Sequence, residues 1–130
     1  MTTYQPGFSH YLLPASSLFA MLAISGGIYG LVSPSAWFSK TFGRPAPTRP
    51  TNLSQAAASF AAARNVTAGI TLLGLIALGD RKAVAVFFMA GSITAFADGL
   101  ICFKFGGKAA IGHAIMGLLV GTLGVSIWYA

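Results

Sequence analysis

Asp98, Arg64 and His113 are the side chains in this sequence best suited to chemistry, because each falls inside a stretch apolar enough to cross a bilayer. A charged group near the middle of a membrane costs roughly 2.5 to 3.5 kcal/mol on insertion scales, so this trio requires a compensating reason. A carboxylate, a guanidinium and an imidazole at matching depth can pair with one another and can move protons. Each also has a plainer reading. Arg64 can snorkel to the interface as an anchor, Asp98 can serve only as a structural partner or a cap on a broken helix, and His113 can be an interior histidine with satisfied hydrogen bonds. The three together outweigh each alone, since charge in lipid is expensive.

Other polar groups gather near them. Asn65 shares a helix face with Gly69, Asp98 with Thr94 and Cys102, and His113 with Gly117, so small residues flank the polar ones and leave room for water or a small molecule. Tyr29 and Ser25, four residues apart near the end of the first apolar stretch, add hydroxyls to the same zone. The candidate catalytic set is therefore Asp98, His113, Arg64 and Tyr29, with Asn65, Ser25 and Thr94 as contacts for substrate or water. Gly-rich phosphate loops, paired cysteines, facing histidines and a Gly-x-Ser-x-Gly elbow are absent. A metal would have to rely on Asp98 and His113 with Arg64 repelling it, so neither metal nor cofactor is expected. Asp80, Arg81 and Lys82 read as an exposed turn without chemistry, and His10 as a solvated residue at the opposite end.

The elements that must position these groups follow from composition. With 130 residues, 55% hydrophobic and 8% charged, and a mean hydropathy of +0.75, the chain is far more apolar than a soluble domain, whose charged fraction is about a quarter. Apolar stretches at about residues 11–32, 56–78, 83–103 and 109–129 each approach the ~20 residues that cross a bilayer as a helix. No Lys or Arg precedes the first, and it is longer than a secretion-signal core, so it is expected to stay as a helix. Connections as short as Gly79-Asp80-Arg81-Lys82, and the stretch around Phe105-Gly106-Gly107-Lys108, impose antiparallel neighbours. The expected fold is all-α: one four-helix transmembrane bundle, up-down-up-down, over residues 1–130.

The first connection is longer, and Pro34, Pro45, Pro47 and Pro50 break any continuing helix there. It reads as a surface flap carrying Trp37, Phe38 and Phe42 as interfacial anchors. Gly26 and Gly30, and Gly117 and Gly121, have the four-residue spacing that lets helix backbones approach in lipid, within one bundle or along a homodimer seam. Cys102 is the only cysteine, so no intramolecular disulfide can form.

The net charge of +6 is scattered over helix ends, which argues against nucleic acid and for orientation. Lys40, Arg44, Arg49, Lys104 and Lys108 lie on one side, Arg81 and Lys82 on the other. The more basic side is expected to face the cytoplasm, and glycan on the Asn52-Leu53-Ser54 sequon would contradict that orientation.

Arg64-Asn65-Val66-Thr67-Ala68-Gly69, with Asp98 late in the third span and His113 early in the fourth, resembles the DoxX-like group of small four-helix membrane proteins. The resemblance is in particular to a fungal branch of formerly unknown function, over about residues 25–129. Members of that branch often carry Asp directly after the Arg. Asn65 stands there in this chain, which removes a possible second carboxylate.

The resemblance implies a small membrane epoxide hydrolase or epoxide-opening cyclase of fungal polyketide or meroterpenoid pathways, acting on a lipophilic intermediate from the endoplasmic reticulum membrane. On that reading Asp98 is the base, with Asn65 helping to hold water and Arg64 as counter-ion. His113 or the Tyr29 phenol is the acid, and the roles of Asp98 and His113 can be reversed. A membrane scaffold or stabilising subunit of a pathway-enzyme complex is the alternative. A proton-coupled transporter would need polar groups through the full membrane depth.

Overall fold

The computed structural model describes residues 12–42, 52–104 and 107–130. Its helices are α1 (Leu12–Val32), α2 (Pro34–Phe42), α3 (Asn52–Ala77), α4 (Arg81–Lys104) and α5 (Ala110–Tyr129). Four of them, α1, α3, α4 and α5, are long and apolar enough to cross a membrane. Together they form an all-α bundle, as composition required, and the chain is consistent with an integral membrane protein. Expectations for His10, for Arg44, Arg49, Pro45, Pro47 and Pro50, for Phe105 and Gly106, and for the side chains of Phe42 and Asn52 fall outside the described residues.

Hairpin chemistry explains the antiparallel order. Gly79 has φ 69°, the left-handed conformation in which a helix is often closed by glycine, and Asp80 Oδ1 accepts a 3.0 Å hydrogen bond from the Ala83 amide as the cap of α4. Arg81, expected in an exposed turn, is half-buried at the start of that helix.

The spans pack as two tight pairs, α1 with α3 and α4 with α5, while α3 and α4 touch sparsely. Glycine sets both seams. A Cβ on Gly27 would lie 2.6 Å from the Ala62 carbonyl oxygen and from Val66 Cγ2, and one on Gly69 would lie 2.6 Å from the Ala20 carbonyl oxygen. On the other pair, Gly117 receives the Phe96 ring and Gly124 the Ala85 carbonyl. In lipid, where burying an apolar surface gains little, such backbone proximity supplies the packing contacts. Spacing alone pointed to Gly26 and Gly30; a Cβ on Gly30 would lie 2.6 Å from Ala62 Cβ, so Gly30 is on the seam, but Gly26 is not. A side chain there would meet nothing within 4 Å, and Gly27 on the next face makes the seam. Gly117 and Gly121 both face α4 within this chain.

Large side chains fill the space between the pairs near the Gly79 turn. Leu72, Val84, Phe88, Val120 and Ile127 form a buried core there, and Phe19 meets Phe88 edge-on with centroids 5.6 Å apart. A smaller cluster of Trp37, Ala58 and Ala62 stands towards the other end.

The first connection departs from the expected flap. Pro34 begins a helix rather than breaking one: the Trp37 amide donates to the Ser33 carbonyl at 2.9 Å, and proline at the first helical position gives up only an amide that would lack an intrahelical partner. Trp37 is buried, 6% exposed, and wedges against Gly30, where a Cβ would stand 2.8 Å from its Cγ. It is a packing residue, not a headgroup anchor.

Candidate functional site

Arg64 and Asp98 meet. Nη2 of Arg64 donates to Oδ2 of Asp98 at 2.7 Å, and the two side chains are 50% and 26% exposed. The helix ends explain how residues at different distances along their spans come level. At ~1.5 Å rise per residue, Asp98 lies about 9 Å from the end of α4 at Lys104, and Arg64 about 18 Å from the start of α3 at Asn52. The first turns of α3 therefore extend beyond α4, as their Asn52, Ser54, Gln55 and Ser59 content suggested.

His113 stands on the α4–α5 seam, opposite the residue that follows Asp98. A Cβ on Gly99, the residue after Asp98, would be 3.3 Å from His113 Cβ and 3.2 Å from the Ala110 carbonyl oxygen, so glycine at 99 is what lets the start of α5 approach there. The imidazole is engaged elsewhere: Nε2 lies 3.1 Å from the Thr41 carbonyl oxygen at the end of α2. The short helix thus reaches from the α1–α3 pair across to α5.

The remaining candidates are placed less centrally. Asn65 is half-buried next to Arg64. Ser25 and Tyr29 lie two residues on either side of Gly27, roughly 200° round α1 from the seam with α3, and both are exposed. The neighbour of Tyr29 is Lys40, whose ammonium sits 5.0 Å from the ring centroid, a cation–π distance. Thr94 directs its hydroxyl to the Ala90 carbonyl of its own helix at 3.4 Å. The structure therefore joins Arg64 to Asp98, sets His113 across the seam from Gly99, the residue after Asp98, and leaves Ser25, Tyr29 and Thr94 outside the ion pair.

An open groove of about 360 Å³ runs along the same α4–α5 seam, lined by Ser92, Phe96, Gly117, Gly121, Thr122 and Ser126 among others. Ser92 donates its hydroxyl to the Gly117 carbonyl at 2.8 Å, so its polar atom is satisfied against the neighbouring backbone. Gly117, one turn on from His113, and Phe96, two residues before Asp98, mark the end of the groove nearer to the polar residues. No group of three or more metal-ligating side chains occurs among the described residues.

Sequence reasoning missed Thr41, Gly99 and Phe96. Thr41 acts through its backbone, which leaves no side-chain signature. Gly99, adjacent to the only span carboxylate, was legible as a place of close approach.

No curated protein and no solved structure matches the chain. The family model described as "Domain of unknown function (DUF4267)" matches residues 20–127, nearly the whole bundle with Arg64, Asp98 and His113 inside it, and the chain belongs to that family.

Proposed function

We propose that this chain is a membrane-embedded epoxide hydrolase or epoxide-opening cyclase that acts on a lipophilic natural-product intermediate by acid–base catalysis, without metal. The observation that carries the reading is the Arg64–Asp98 ion pair at 2.7 Å with His113 on the adjoining seam. Opening an epoxide needs a base for the attacking oxygen and an acid for the departing one. Arg64 engages Oδ2 of Asp98, and the other carboxylate oxygen is assigned to the nucleophile, with Asn65 steadying it.

In hydrolysis, Asp98 takes a proton from water, the water oxygen bonds to an epoxide carbon, and that carbon's bond to the epoxide oxygen breaks. The released alkoxide takes a proton from cationic His113. Transfer of the Asp98 proton to His113 then restores both groups. In cyclisation a hydroxyl of the substrate replaces water. The groove along α4 and α5 supports a lipophilic substrate: its volume is within the range of small-molecule sites, about 300 to 1,000 Å³, and its named lining carries hydroxyls and apolar groups but no charge.

On this reading the candidate site shares its end of the bundle with Lys40, Lys104 and Lys108, the more basic side, which faces the cytoplasm of an endoplasmic reticulum membrane. One observation favours a second reading, a non-catalytic scaffold or stabilising subunit: the same ion pair ties α3 to α4 where they otherwise touch sparsely. Turnover of a lipophilic epoxide by purified protein separates the two. The enzyme reading expects wild-type turnover and a loss of about 100-fold or more in Asp98→Asn. Undiminished turnover in that variant overturns the role given to Asp98, and inert wild-type protein favours the scaffold.

A further inference from the structure

The bond between α2 and His113 fixes more than the position of a helix. A carbonyl oxygen can only accept, so the 3.1 Å contact from His113 Nε2 to the Thr41 carbonyl requires the proton to be on Nε2. Thr41 is in the last turn of α2, where backbone carbonyls have no partner within the helix and seek donors from elsewhere. The bond therefore satisfies two groups at once, an orphan carbonyl and an imidazole in an apolar span. α2 is held in place to make it. Trp37 locks the helix against Gly30 and Ala62, and the Trp37 amide ties it back to Ser33.

We infer that the Thr41 backbone carbonyl is a positioning group that keeps a proton on His113 Nε2, so that the neutral ring is the Nε2–H tautomer and Nδ1 is the ring nitrogen that gives and takes the proton exchanged with a bound reactant. α2 thus belongs to the site as its strap, and Trp37 is the wedge that seats it. That Nδ1 serves epoxide opening rests on the function proposed above. The tautomer and the strap do not.

The test is magic-angle-spinning NMR on full-length protein in lipid bilayers, with ¹⁵N-histidine and threonine labelled at the carbonyl carbon. A His10→Asn background leaves His113 as the only histidine, since the chain has two. Rotational-echo measurement is expected to show the protonated ring nitrogen, Nε2, dephased by a threonine carbonyl at hydrogen-bond range. Thr41→Ser keeps the backbone carbonyl but drops its label, and the dephasing must vanish. Dephasing of Nδ1, none at all, or dephasing that survives Thr41→Ser overturns the inference. The measurement needs no turnover, so its failure leaves the epoxide reading standing, and an inert protein leaves the tautomer assignment intact.

Discussion

The Arg64 guanidinium lies 2.7 Å from the Asp98 carboxylate across the α3–α4 boundary, where the two tight helix pairs of the bundle otherwise make few contacts. The pair is thus both a neutral solution for two charges in an apolar chain and a link between halves. Exchanging the partners separates these roles. Arg64→Asp or Asp98→Arg alone puts like charges together, and each is expected to lower stability by about 2 to 3 kcal/mol, the scale of an uncompensated charge in lipid. The double exchange should recover most of that loss in a detergent unfolding assay and recover no turnover, because the carboxylate then springs from α3. Recovery of both stability and turnover would assign the pair a purely electrostatic role.

His113→Gln and His113→Ala are expected to part company. The Gln amide can still donate to the Thr41 carbonyl, so α2 should stay seated and the thermal midpoint stay near that of the unaltered protein. His113→Ala should expose the last turn of α2 to faster amide hydrogen exchange, since it leaves the carbonyl without its donor. Turnover should fall by about 100-fold or more in both, the contribution of a positioned proton carrier. Equal exchange rates in the two variants would contradict the strap.

Neighbouring glycines should respond in opposite ways. Gly27→Ala places a methyl 2.6 Å from a backbone oxygen of α3 that cannot rotate away, and overpacking of this kind costs about 1 to 3 kcal/mol. Gly26→Ala meets open space and should be neutral or gain about 0.5 to 1 kcal/mol from helix propensity. Thermal unfolding of the two variants side by side decides the matter, and an equal or reversed order would mean that the α1–α3 seam runs along the other face.

The groove makes a kinetic prediction. Thr122 is exposed and lines it, so Thr122→Trp should fill the space and raise KM for a long lipophilic epoxide about tenfold, the effect of ~1.4 kcal/mol of lost binding. Stability and kcat should hardly change, because Thr122 is exposed and takes no part in the ion pair. Unaltered KM would remove the groove from the substrate's path.

How much of this was legible in the sequence differs from group to group. The four spans and the antiparallel turn at Gly79 were plain, because an apolar run of about 20 residues matches the thickness of a bilayer when coiled as a helix. Arg64 and Asp98 were legible for the same reason, as charge in lipid demands a partner and these two opposite charges lie at compatible depth. Gly26 was chosen over Gly27 because glycine spacing shows that a close face exists but not which face it is. Pro34 was read as a breaker when Ser33 before it was the cue for a helix start, and with α2 overlooked, Trp37 looked like an anchor. The Thr41 contact was beyond reach, since a backbone carbonyl has the same chemistry in every residue. Ser25 and Tyr29 were grouped with the site by depth alone, whereas rotation about the helix axis turns them elsewhere; Thr94 shares the Asp98 face, but its hydroxyl is turned back to the Ala90 carbonyl of its own helix.

Single-turnover reaction of purified protein in ¹⁸O-water tests the central claim, that Asp98 activates water directly against an epoxide, using a lipophilic epoxide with no internal hydroxyl. The account predicts one ¹⁸O atom in the diol from the first turnover and none in the peptide that carries Asp98. An unlabelled diol with ¹⁸O in the Asp98 carboxylate would show attack by the carboxylate itself, and no diol at all would contradict the hydrolase reading.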